Sequence, residues 1–143
     1  MSVPDDAVPA AVFAYGTLKR GERNFELAQR AGWLCSEPGW LEGFRLFHIP
    51  QQGPRPYGYP AIVPGEGRVQ GEVQRFQDLE FALTVLDALE DEGQEYRRIP
   101  AVARTQSGAI WVWVYVYPSL EAIQSARGIP LRGEVWAERT LKT

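Results

Sequence analysis

The chain has 143 residues, 45% hydrophobic and 23% charged, which is the size and balance of a single compact domain with one core. Fourteen Gly and eleven Pro imply short elements and frequent turns rather than a helical bundle, and an aromatic content of 12% argues against disorder. One Cys (Cys35) and one His (His48) exclude a disulfide framework and a Cys- or His-rich zinc site. A net charge of −3 with no Lys/Arg cluster gives nucleic acid no phosphate-binding footprint.

Residues 1 to 9, with two acidic residues and two prolines, read as a loose leader rather than a signal peptide. No apolar run approaches the ~20 residues of a membrane span, so the expectation is a cytoplasmic protein without membrane contact. Ala11 to Tyr15 is an apolar run stopped by Gly16, which suits a buried strand feeding a turn. Asn24 before FELAQRA and Gly32 after it bracket a short helix, with Asn24 as its cap. Trp40 to Ile49 reads as a strand, and the Pro/Gly-rich stretch through Pro60 as a loop long enough to be functional.

In GRVQGEVQRF, Val69, Gly71 and Val73 alternate with polar residues, as in a strand buried on one side. DLEFALTVLDALED predicts an amphipathic helix from Asp78 to about Asp91, capped by Asp78. Tyr96 to Arg104 forms a further extended segment. From Ala109 to Tyr117, Ile110, Val112, Val114 and Val116 alternate with Trp111, Trp113, Tyr115 and Tyr117, so neither face suits water. A strand that needs cover on both faces favours an α+β barrel-like domain, a small sheet curled on itself with helices packed outside. The domain is expected over 10–134, with a polar tail over 135–143 that shows no apolar repeat to predict docking.

On the helix beginning at Asp78, Glu80, Thr84, Asp87 and Asp91 share one stripe, whereas Ala82, Leu86 and Leu89 centre the opposite one. Glu90 falls on the flank of the apolar face, in the last turn. Partial burial and the negative helix terminus both push a carboxylate pKa upward there. A carboxyl that titrates near neutral pH can shuttle protons, which makes Glu90 the candidate general acid/base. A solvated helix-end Glu is the competing reading.

Tyr15-Gly16-Thr17-Leu18 is a strand end turning through Gly, whose backbone freedom could aim successive N–H groups into one anion-binding concavity. Ordinary strand termination is the alternative. Tyr96 and Arg98 share a face two positions apart, and the Tyr96 hydroxyl either reaches Glu90 or ligand, or is the wet tip of a core Tyr. His48, flanked by Phe47 and Ile49, reads as structural. Cys35 has no neighbouring base to activate it.

FAYGTLKRG, YPAIVPGEGRVQGEVQRF and LDALEDEGQEYRR with the strand that follows, in order from about Val12 to Tyr117, resemble the γ-glutamylcyclotransferase-like (AIG2-like) family. The resemblance implies a small mixed β-barrel whose YG(S/T)L loop holds a γ-glutamyl group through its backbone, here Tyr15, Gly16, Thr17 and Leu18. It further implies that the catalytic Glu three residues after the Asp of an LDxxE segment is Glu90, and that the family's Tyr after the helix is Tyr96, its Y-x-R pattern extending to Arg98. Many members carry Gly after the catalytic Glu where this chain has Asp91, a departure that either raises the pKa of Glu90 further through its charge or marks a divergent substrate. The implied reaction is cyclisation of a γ-glutamyl amine or small peptide to 5-oxoproline, without metal or cofactor. The partner is a small-molecule substrate. The alternative is a non-catalytic small-molecule-binding or regulatory module on the same fold. The leaving amine and the oligomeric state are not legible.

Overall fold

The computed structural model describes residues 8–53, 57–93 and 95–138. Its elements are β1 (Ala11–Ala14), α1 (Phe25–Arg30), β2 (Trp33–Ile49), β3 (Tyr59–Phe76), α2 (Leu79–Leu89), β4 (Arg97–Thr105), β5 (Gly108–Val116), α3 (Leu120–Ser125) and β6 (Ile129–Pro130). Strands run in the order β3-β1-β5-β4-β2, and β2 pairs back onto β3, closing a five-stranded barrel. The pair β1–β5 is parallel and the others are antiparallel, so the barrel is mixed, as the family resemblance implied, and its closure covers both faces of the doubly apolar β5. β6 adds a short antiparallel edge to β2 at His48 and Phe47.

The barrel is built around the β2/β3 hairpin, which pairs from Trp33↔Phe76 to Ile49↔Tyr59. Its register slips between Glu42 and Phe44, where Gly43 takes φ 87°, a bulge that increases local twist and helps the sheet curl closed. β2 begins at Trp33, earlier than the Trp40 expected, because the segment from Cys35 to Gly39 gains partners on β3 from Arg75 to Gly71.

β1 divides the core. Ala11 and Phe13 join Val112, Val114, Val116, Leu41, Ile62 and Val73 on one face, while Val12 and Ala14 join Tyr115, Tyr117 and the helical residues Ala28, Ala82, Leu86 and Ile123 on the other. α2 enters that second layer through fully buried Ala82 and Leu86, with Leu79, Leu83, Val85 and Leu89 packed alongside. Burying one Leu fully contributes about 1.5–3 kcal/mol. Asp78 accepts the Phe81 N–H at 3.2 Å, the expected cap. α1 forms as predicted, but Asn24 makes no side-chain cap. α3 is capped by Ser119, whose Oγ accepts the Ala122 N–H at 3.1 Å.

The end of the chain supplies core that the sequence did not advertise. Trp136 is fully buried among the β5 valines and Ile62. Its indole N–H donates to His48 Nδ1 at 3.1 Å, and its carbonyl accepts from Lys19 Nζ at 2.5 Å. His48 is therefore a structural acceptor, and Cys35 is exposed. Within the expected leader, residues 1–7 lie outside the described residues, as do 139–143 of the expected tail.

Candidate active site

α2 ends on hydrogen bonds from Glu92 N–H to the Asp87 carbonyl (3.0 Å) and from Asp91 N–H to the Ala88 carbonyl (3.4 Å). This is a Schellman motif in which Asp91 occupies, at φ 52°, the left-handed position that Gly fills at least cost. The cap residue is Glu90. The turn directs it toward a cavity of about 90 Å³ that Glu90 shares with Leu89 and the loop after β1. Burial, the dominant cause, and the negative charge of Glu95 push the Glu90 carboxyl up to about 8. The direction matches the sequence expectation, but the second charge is Glu95. Asp91 is exposed and plays no part in the shift.

Tyr15, Gly16, Thr17 and Leu18 leave β1, which is flanked by β3 and β5, and all four are buried and line the cavity. Gly16 is required for a different reason from the one expected. It has no positive φ, and a Cβ there would lie 2.3 Å from Pro60 Cγ. The turn is fixed by Lys19 N–H to the Gly16 carbonyl (3.1 Å) and Asn24 N–H to the Thr17 carbonyl (2.8 Å). The N–H groups of Gly16, Thr17 and Leu18 have no acceptor among the described residues. Buried amides without acceptors are costly unless something fills the space before them. All three residues line the cavity that bears Glu90.

The Tyr15 hydroxyl donates to the Tyr115 carbonyl at 2.6 Å, so this side chain builds the wall. Burial also raises its pKa well above the usual phenol value. Tyr96 is buried, its ring lines the cavity, and its hydroxyl donates to the Pro60 carbonyl at 2.5 Å. The hydroxyl is thus tied to Pro60, the residue packed on Gly16, while its ring faces the site. Arg98 is turned away. Its Nε and Nη2 meet the two Asp87 carboxylate oxygens at 2.9 and 3.2 Å, a bidentate pair that anchors the last turn of α2 to β4. The Tyr115 hydroxyl adds a third bond to Asp87 at 2.7 Å.

Several cavity residues were not singled out by the sequence. Glu95 Oε2 accepts from the hydroxyls of Tyr59 and Tyr117, the latter at 2.7 Å. A second carboxyl group therefore shares the cavity with Glu90. Asn24 Nδ2 donates to Thr17 Oγ1 (3.1 Å) and Tyr57 Oη (2.8 Å) in place of capping α1. The alternation of Tyr115 and Tyr117 on one face of β5 was a usable signal. Glu95, inside an acidic turn, offered none. Among the described residues no cluster of three or more His, Cys, Asp or Glu side chains could hold a metal ion.

The chain is thus an α+β domain built on a closed mixed barrel, with a cavity lined by the part-buried helix-end carboxyl of Glu90 and by the turn through Gly16. The sequence profile described as "Gamma-glutamyl cyclotransferase, AIG2-like" matches residues 12–138. The chain is 32% identical over 116 residues to the gamma-glutamylcyclotransferase family protein YtfP of Escherichia coli K12, covering 80% of this chain and 91% of that one. It is 36% identical over 104 residues to a putative gamma-glutamylcyclotransferase of Vibrio cholerae, covering 73% and 80%. The crystal structure of a mouse AIG2-like protein superposes with a TM-score of 0.68 at 25% identity, over 92% of this chain and 90% of that one. The chain belongs to the gamma-glutamyl cyclotransferase, AIG2-like family. No helix among the described residues is long and apolar enough to cross a membrane.

Proposed function

We propose that this protein is a γ-glutamylcyclotransferase-type enzyme that converts a γ-glutamyl amine or small γ-glutamyl peptide to 5-oxoproline, with Glu90 as general acid/base. The observation that carries the reading is the shared cavity, lined both by a carboxyl pushed up to about 8 and by three residues whose backbone N–H groups have no acceptor among the described residues.

The Glu90 carboxylate takes one proton from the substrate α-ammonium, and the freed amine attacks the γ-carbonyl carbon, forming the ring C–N bond. The carbonyl π pair moves to oxygen, where the Gly16 to Leu18 amides stabilise the oxyanion. As the oxyanion collapses, the bond to the leaving nitrogen breaks and that nitrogen receives the proton held on Glu90. The ring nitrogen, still carrying two protons after the attack, passes one through the regenerated Glu90 carboxylate to the released amine, so the products are 5-oxoproline and an ammonium ion. An α-ammonium is a far weaker acid than an ordinary carboxyl, so an ordinary carboxylate would be a poorly matched acceptor, whereas Glu90, pushed up to about 8, is much closer to it. Entry of the ammonium beside Glu90 and Glu95 supplies the positive charge that favours the ionised carboxyl when it is needed. Both reacting groups belong to one molecule, so a folded pose supplies much of the acceleration.

The test is 5-oxoproline release from a panel of γ-glutamyl amines and γ-glutamyl dipeptides. Turnover of at least one member is expected. Tight binding without turnover across the panel assigns the cavity to a binding or regulatory module instead.

A further inference from the structure

Asn24 and Tyr57 line the cavity beside the Thr17 turn, and the proton transfers above use neither. An amide NH2 group only donates. The bonds from Asn24 Nδ2 to Tyr57 Oη and Thr17 Oγ1 therefore make both hydroxyl oxygens acceptors and leave both hydroxyl protons for a third group. The Arg23 guanidinium lies 4.3 Å from the centre of the Tyr57 ring and is held by Glu138 at 2.5 Å. A cation over the ring withdraws electron density and strengthens the phenol as a donor. Two hydroxyl protons beside the Gly16 to Leu18 amides, which have no acceptor among the described residues, make this end of the cavity a receptor for negative charge, remote in chemistry from the carboxyl pair Glu90 and Glu95.

The anionic group that every γ-glutamyl substrate carries is its α-carboxylate. We propose that the Tyr57 hydroxyl, with that of Thr17, holds this α-carboxylate, and that Asn24 is the positioning residue that turns both hydroxyl protons toward it. The assignment rests on the cyclotransferase reading. It keeps the substrate's carboxylate away from Glu90 and Glu95 and leaves its ammonium facing them, the pose that cyclisation requires.

The experiment compares a γ-glutamyl amide with the 4-aminobutyramide of the same amine, which retains the amino group and the reacting carbonyl but lacks the α-carboxylate. Tyr57→Phe removes one donor to a charged group, an expected loss of about tenfold to a hundredfold in kcat/KM on the γ-glutamyl amide. The loss on the 4-aminobutyramide is expected to be at least tenfold smaller. Asn24→Asp replaces the donating amide by an acceptor that captures both hydroxyl protons, and should show the same substrate-selective loss. Equal losses on both substrates, or none, overturn the assignment. A binding measurement separates this outcome from failure of the reaction itself. By NMR titration, 5-oxoproline should bind wild type more tightly than 2-pyrrolidinone, and Tyr57→Phe should erase that preference whether or not wild type turns over. A wild type that binds the two equally, or a preference retained in Tyr57→Phe, overturns the assignment.

Discussion

Gly16 lies flat against the Pro60 ring, so that the turn after β1 and the start of β3 meet with no room for a single added carbon. The same Pro60 carbonyl accepts the Tyr96 hydroxyl, and one residue thus aligns two walls of the cavity. Gly16→Ala places its methyl 2.3 Å from Pro60 Cγ. The buried turn must shift, at a cost of about 1–3 kcal/mol, and the Gly16 to Leu18 amides shift with it. Urea denaturation and 5-oxoproline formation should both report a loss. An unaltered midpoint would show that the contact is soft.

Asp91 occupies the left-handed position of the motif that ends α2. Asp91→Gly should raise stability by about 1 kcal/mol in urea denaturation, because Gly adopts this conformation without a Cβ penalty. Since the charge acting on Glu90 belongs to Glu95, the pH dependence of turnover should be retained. A shift of that profile toward lower pH in Asp91→Gly would restore Asp91 as a neighbour that matters.

Trp136→Ala removes a fully buried indole and leaves His48 Nδ1 without its donor. The expected destabilisation is about 3–5 kcal/mol, read from the denaturation midpoint. A change within experimental error would mean that the segment beyond β6 docks too weakly to count as core.

The pH dependence of stability has a definite sign. Glu90 titrates at about 8 in the folded protein and at an ordinary carboxyl value of about 4.3 when unfolded. Between those values the folded state holds a proton that the unfolded chain has released. The stabilisation is complete below the unfolded value and is lost as pH rises through 8. Glu90→Gln removes the titration, so its stability relative to wild type should increase from pH 4 to pH 9. Parallel pH curves for the two proteins would contradict the burial of this carboxyl.

Much of the frame was legible because local pattern and tertiary demand agreed. The alternation of β5 reported two covered faces, Asp78 reported the start of α2, and angular spacing placed Glu90 at the edge of the apolar layer. Where a tertiary partner chose between local options, the sequence was silent. Asn24 looked like a helix cap, yet its amide serves Thr17 and Tyr57 across the cavity. Gly16 looked like a conformational hinge, and its need is space for Pro60. Glu95 is held at the cavity by tyrosines 22 and 36 positions away, which no local pattern in the sequence points to. Trp136 sits in a three-residue apolar patch, Val135 to Ala137, too short for any periodicity to announce it as an anchor.

The central claim is that Glu90 carries the proton between the amine and the leaving nitrogen. Its most direct test is the single-turnover rate of 5-oxoproline formation by wild type and Glu90→Gln on the best substrate of the γ-glutamyl panel. The account predicts a fall of about 10²–10⁴-fold, the usual contribution of a positioned acid/base. Equal rates for the two proteins would contradict it.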